Sequence, residues 1–282
     1  MSAKQINAVL VKLSIGIFPN QRQDRAITED VKQRKALGEG AGKWVKYKLP
    51  DQSLTPIREF AGFVRRFHYD HTTPWDEGVR MLSRTVLDKW DKRMKQYADE
   101  FWNLTDEFGE AYPKWIEQAK SMHAGTFDPT DYPQWAEARN LFKFGREVYP
   151  IPQATHFNSE MQAMYGAGLE AITEKKIQDA VADTWNRLIE PVQKLAAKLA
   201  SPDAVFRDTL IENVQDMVKL VPALNLTGDT QLADAAKVIQ EQLSLLNLEQ
   251  LRTDKVVRKD AAEKAAAIAA RFGAIGSRKL AA

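Results

Sequence analysis

The apolar and polar positions of the chain fall into two rhythms. From Ile6 to Phe18, Val9, Val11, Leu13, Ile15 and Ile17 recur at every second position. That period of two predicts a strand, and the β-branched residues among them suit a pleated surface. Pro19-Asn20 closes it. A polar helix is expected over 25–37, broken by Gly38, Gly40 and Gly42. Trp44 to Leu49 and Phe142 to Tyr149 are two further short strand candidates, stopped by Pro50 and by Pro150 and Pro152.

Elsewhere the period is helical. Ile57, Phe60, Ala61, Val64 and Phe67 follow Thr55-Pro56, a cap with proline at the helix start. A long helix is expected from about 76 to 111. In it Trp90, Met94, Tyr97, Phe101, Leu104 and Phe108 step by 4, 3, 4, 3, 4, a heptad-like seam. Such a seam of large side chains reads as core. The turn Asp128-Pro129-Thr130-Asp131-Tyr132-Pro133 caps a short helix, with both carboxylates in capping roles. From Asn158 onward a helix of about 40 residues carries Leu169, Ile172, Val181, Trp185, Leu188, Val192, Leu195 and Leu199 on one face, with Pro191 expected to kink or break it. Ser201-Pro202-Asp203 marks the next helix start, leading to Phe206, Leu210, Val214, Met217 and Val221. Another helix bears Leu232, Ala236, Ile239, Leu243 and Leu246. The last, alanine-rich and basic, is expected over 253–272, ended by Gly273 and Gly276.

The fold class is therefore α+β and predominantly α-helical. A small N-terminal sheet of two or three strands accompanies long amphipathic helices and a helical C-terminal half. Two domains are expected: an α+β domain over 1–152 and a helical, bundle-like domain over 153–282.

Composition narrows the function classes. Of 282 residues none is cysteine, which excludes disulfides, thiol catalysis and cysteine-ligated metals. No apolar run reaches the ~18 residues of a membrane span, and no basic-then-apolar leader opens the chain. The expectation is a cytoplasmic protein without a membrane partner. The formal charge of +2 hides a division: residues 1–50 carry net +6, residues 252–282 net +5, and the stretch between net −9. Basic ends on an acidic body suit an acidic partner, nucleic acid or a second copy, and equally plain solvated surface.

The densest stretch of chemistry is Arg65 to Trp75. Arg65 and Arg66 suit phosphates, and Phe67, His68, Tyr69 and Trp75 suit base stacking. His68 and His71 lie three residues apart with Asp70 between them, the start of a metal site lacking an evident third ligand. Packed aromatics at a helix end are the plain alternative. Gly38-Glu39-Gly40-Ala41-Gly42-Lys43 fails as a phosphate loop: Leu37 stands where glycine is needed and Trp44 where Ser or Thr is needed. There is no nucleophile elbow and no HExxH pair. No enzyme activity and no cofactor are expected. The closing Leu280-Ala281-Ala282 resembles the end of the ssrA degradation tag read by the ClpX unfoldase.

Several segments together resemble an uncharacterised family of bacteriophage and mobile-element proteins. They are Val9 to Ile17, Phe67 to Trp75, Phe142 to Pro152, Phe206 to Asn213, and Leu224 to Thr227. His68-Tyr69 and Pro74-Trp75 belong to that pattern and His71 does not. The resemblance implies an accessory role in the host cytoplasm beside a MoxR-type AAA+ ATPase and a von Willebrand A-domain protein. It supplies no catalytic residues. The leading expectation is a non-enzymatic protein acting through protein contacts, by self-association or as an adaptor of such an ATPase. The alternatives are a nucleic-acid-binding protein of phage replication or recombination, with DNA or RNA as partner, and a metal-dependent enzyme using His68, Asp70 and His71.

Overall fold

The computed structural model describes residues 6–201, 207–243 and 246–280. The helix start expected at Pro202-Asp203, Phe206, and the terminal Ala281-Ala282 lie outside them. The chain is α+β and mostly helical. In order it forms β1 (Ala8–Gly16), β2 (Gln21–Gln23), α1 (Arg25–Lys35), β3 (Val45–Tyr47), α2 (Thr55–Asp70), β4 (Thr73–Asp76), β5 (Val79–Ser83), α3 (Leu87–His123), α4 (Trp135–Arg139) and β6 (Lys143–Tyr149). Then come α5 (Ser159–Ala200), α6 (Thr209–Leu224), α7 (Thr230–Leu243), α8 (Leu248–Thr253) and α9 (Lys255–Leu280). One sheet has the order β4-β5-β1-β6, and β2 and β3 form a second.

Three expected elements are corrected. The helix expected from residue 76 starts at Leu87, and an antiparallel hairpin of β4 and β5 stands before it. Gly78 turns that hairpin at φ +70°, which an L side chain adopts only with strain. Met81, Leu82 and Ser83 are buried in β5. Second, α5 is unbroken through Pro191. Third, α9 continues past Gly273 and Gly276. These glycines serve packing: a Cβ on Gly276 would stand 3.4 Å from the Cβ of Trp185, and one on Gly273 3.8 Å from Ile189. Their small size lets α9 close on α5.

By its contacts the chain divides into two units that interleave along the sequence, in place of the single boundary expected between 152 and 153. One unit takes the chain up to Lys12, His68–Asp91, and Glu147 onward; the other takes Leu13–Phe67 and Lys92–Arg146.

In the first unit, Ala8 to Lys12 pair with Ser83 to Val79, and Ala8, Leu10 and Met81 pack with Ile151, Ile177, Ala180 and Leu226. Its larger core is a helix bundle. Trp185, Leu188, Val192, Leu195 and Leu199 of α5 meet Val214 and Val221 of α6, Ile239 of α7, and Ala261, Ala265, Ile268 and Phe272 of α9. The i, i+3, i+4 apolar stripes of these helices dictate that arrangement. Emptying the Trp185 site would cost about 3–5 kcal/mol.

In the second unit the α3 seam is core. Phe101 and Phe108 are buried with Phe18, Leu49, Leu54, Ile57, Tyr112 and Phe142. The rings meet tilted or edge-on: Phe18 and Tyr112 have centroids 6.1 Å apart at 67°, and Phe108 and Phe142 stand 5.7 Å apart at 57°. Such geometries add about 0.5–1.5 kcal/mol per pair beyond burial.

Candidate functional site

The stretch Arg65 to Trp75 forms the last turns of α2 and the start of β4. Arg65 donates through Nη2 to the carbonyl of Ile15 at 2.9 Å, while Arg66 is exposed. Phe67 meets Tyr97 edge-on, centroids 5.3 Å apart. His68 is only 2% exposed and sits against Trp90, ring centroids 5.7 Å apart. Its Nδ1 has no hydrogen-bond partner among the described residues. Burial, and then the charges of Arg80 and His71, push its pKa down to about 4. His68 is thus a neutral core histidine, and a base cannot reach it to stack.

Tyr69 is half exposed, with the Arg80 guanidinium 4.8 Å above its ring. Lys176 stands 5.5 Å over the Trp75 ring and donates to the Trp75 carbonyl. Two arginines finish the helix. Arg80 donates to Thr72 Oγ1 at 2.6 Å and to the Thr72 carbonyl at 2.8 Å. Arg187 reaches the carbonyls of Tyr69 and Thr72 at 3.3 and 3.4 Å and pairs with Asp183 at 2.9 Å. Cations suit the unsatisfied carbonyls and negative dipole end of a helix C-terminus. The stretch is therefore built as a capped helix end, and its chemistry is turned toward its own chain. Among the described residues, no three His, Cys, Asp or Glu side chains gather where they could hold a metal ion, so His68, Asp70 and His71 belong to no such group.

One residue with an unexpected role is Asp131. Asp128 does cap, accepting from the Thr130 amide at 3.0 Å. Asp131 instead is buried, with its side chain 2% exposed. Lys46 pairs with it at 2.9 Å, and Arg22 pairs with it from β2. Burial raises its carboxyl pKa, but the hydrogen bonds and charges of Lys46 and Arg22 outweigh this and hold it below the ordinary value. Around it, His123 Nε2 lies 2.7 Å from the Tyr47 carbonyl, and Tyr132 donates to the Lys48 carbonyl at 2.6 Å. This cluster clamps β3 to the 123–132 loop.

A second feature, without a motif of its own in the sequence, is the exposed apolar surface of α5. Thr173, Ile177 and Ala180 are buried on one side of its first half. The opposite side leaves Met161 43%, Met164 66%, Tyr165 55% and Ile172 56% exposed. With Gly168, positions 161, 165, 168 and 172 step by 4, 3, 4, the spacing of a helix-pairing seam. The sequence pattern places Leu169 and Ile172 on one face with Val181, Trp185 and Leu188, whereas in the structure Ile172 is exposed and Trp185 and Leu188 are buried.

Among the described residues no helix is long and apolar enough to cross a membrane. No family model matches the chain, and neither a curated protein nor a solved structure does. The fold and these surfaces define an α+β, mostly helical protein with an exposed apolar helix seam.

Proposed function

We propose that the protein works through protein contacts and that the seam on the first half of α5 is the contact surface. The observation that carries this reading is the exposure of Met161, Met164, Tyr165 and Ile172 along one side of a helix whose other side is buried. Large apolar side chains grouped in this way are held out of water only by a partner. The occupant is the same segment of a second copy, in antiparallel register. Tyr165 then meets Gly168, large against small, and Met161 meets Ile172. Glu160 comes within a turn of the exposed Lys175 of the second copy. An isologous pairing of this kind closes on itself as a dimer. An adaptor role beside an AAA+ ATPase, which the family resemblance implies, is the part we propose for the resulting dimer, through surfaces other than the seam.

The cysteine-free chain provides a clean test. A single Gly168→Cys variant is treated with a short bismaleimide, beside an Asp216→Cys control at an exposed position of α6. A cross-linked dimer at position 168 and none at 216 supports the reading. Monomer at both positions, or equal cross-linking at both, overturns it.

A further inference from the structure

We propose that the groove between the second half of α5 and the start of α9 binds a free fatty acid, its carboxylate at Lys255 and Lys259 and its chain along a floor of alanines. The groove lies within the first unit and stands apart from the seam on the first half of α5.

The groove follows from the residues at the helix contact. Leu195, Ala261 and Ala265 belong to the bundle core. Beside them Ala196, Ala197, Leu199 and Ala200 of α5 line the groove together with Ala262 and Ala266 of α9. Leu199 and Ala262 are buried, while Ala197, Ala200 and Ala266 are exposed. Methyl groups let the two helices approach and are too short to fill the space above them. What is left is an open groove of about 660 Å3, within the size range of ligand sites. From Lys255 to Ala266 it follows α9 for about 16 Å at the helical rise, the length of an extended dodecyl chain. Alanine walls make shallow holes for the knobs of a docking helix, but they suit a smooth polymethylene chain.

The cationic charge is gathered at one end. Lys255, Arg258 and Lys259 line the groove there, with Glu263 the acidic residue of the lining. Arg258 is committed to its own chain: Nε donates to the Leu199 carbonyl at 3.2 Å and Nη2 to the Lys198 carbonyl at 3.4 Å. Asp254 accepts from the Val256 and Val257 amides at 2.8 and 3.2 Å, so the start of α9 is capped by its own chain. The lysine ammonium groups remain. Lys255 is exposed, and Lys259, also exposed, stands 3.8 Å from Glu263, a loose pair that leaves donors for an incoming carboxylate. Cations at one end and hydrocarbon along the rest match an amphiphile with a single anionic head. A partner helix would instead need anchors repeated along its whole length.

The test is isothermal titration calorimetry of the full chain with laurate at about 20 and about 200 mM salt. Decanoate and dodecyltrimethylammonium are the comparisons. Laurate saturates one site per chain and binds less tightly at the higher salt. It binds about four- to fifteenfold more tightly than decanoate, the range for two methylenes half or fully buried. Dodecyltrimethylammonium, with the same tail and a cationic head, binds more weakly than laurate. Lys255→Glu with Lys259→Glu raises Kd about fivefold or more, the effect of two exposed charge contacts. Ala266→Glu, which sets a carboxylate in the path of the tail, raises it about tenfold or more. All three positions are exposed, so the urea unfolding midpoint stays in place. The inference fails if laurate shows no saturable binding at low salt, if decanoate or dodecyltrimethylammonium binds as tightly, or if either variant leaves Kd unchanged. It fails also if the chain binds phosphatidylglycerol vesicles and not laurate, which would make the groove a membrane contact. Loss of self-association in Ala266→Glu would make it a contact between copies and overturn it as well.

Discussion

Lys46 Nζ and a carboxylate oxygen of Asp131 stand 2.9 Å apart, with 8% and 2% of their side chains exposed, across 85 residues of sequence. A pair so far from water is costly to break from one side. Removing either partner leaves a buried charge, at about 3–5 kcal/mol, whereas replacing both by apolar groups is often neutral. Asp131→Ala should therefore lower the urea midpoint sharply, and Lys46→Met together with Asp131→Leu should recover most of it. A double variant as unstable as Asp131→Ala would show that the pair itself is needed.

Acid should act on the fold in two steps. His68 is neutral when folded, with a pKa of about 4, while the unfolded chain titrates near 6.5. Between those values the unfolded state binds the proton and the folded state does not, so stability falls as pH drops from 6.5 to 4. The full loss is roughly 3 kcal/mol. Asp131, held below its ordinary value, adds a second loss below about pH 4. Urea titrations at pH 7, 5.5 and 4.5 check the first step, and His68→Gln should flatten it. A wild-type midpoint constant over this range would contradict the buried neutral histidine.

Gly109 lies in the interior of α3, where alanine is ordinarily better for a helix by about 1 kcal/mol. Here a Cβ would stand 2.4 Å from two carbons of the Trp135 ring, well inside contact distance. Overpacking costs about 1–3 kcal/mol or more, so the clash wins. Gly109→Ala should destabilise the protein, and Trp135→Leu in the same chain should restore part of the loss. Thermal melts of the three variants decide it; a stabilised Gly109→Ala would show that the helix preference dominates.

These residues also show what a sequence discloses. The period-two run at Val9 to Ile17 and the seam from Trp90 to Phe108 announce β1 and a buried helix face, because burial on one side leaves a local rhythm. The β4–β5 hairpin left a fainter one. Val79 and Met81 fit a strand as well as a helix, and Gly78 is the one turn signal between the two strands. Gly273 and Gly276 look like helix ends until Trp185 and Ile189 are seen beside them. The Asp131 cluster has no local signature, since Arg22 and Lys46 come from remote strands. The same limit applies to the functional stretch. Arg65 to Trp75 has the composition of a binding motif, yet the groups that engage it, Arg80, Lys176 and Arg187, arrive from β5 and α5. The apolar seam on α5 was visible as residues but not as a surface, because only the fold shows which side of a helix is left uncovered.

The central claim, that α5 pairs with its counterpart in a second copy, is tested most directly by sedimentation equilibrium of the wild-type chain and of Met164→Glu with Ile172→Glu. The wild type should approach twice its 31.9 kDa as concentration rises, and the variant should stay at the single-chain mass with its circular dichroism unchanged. A wild type that remains at the single-chain mass at every concentration, or a variant that dimerises equally well, would contradict it.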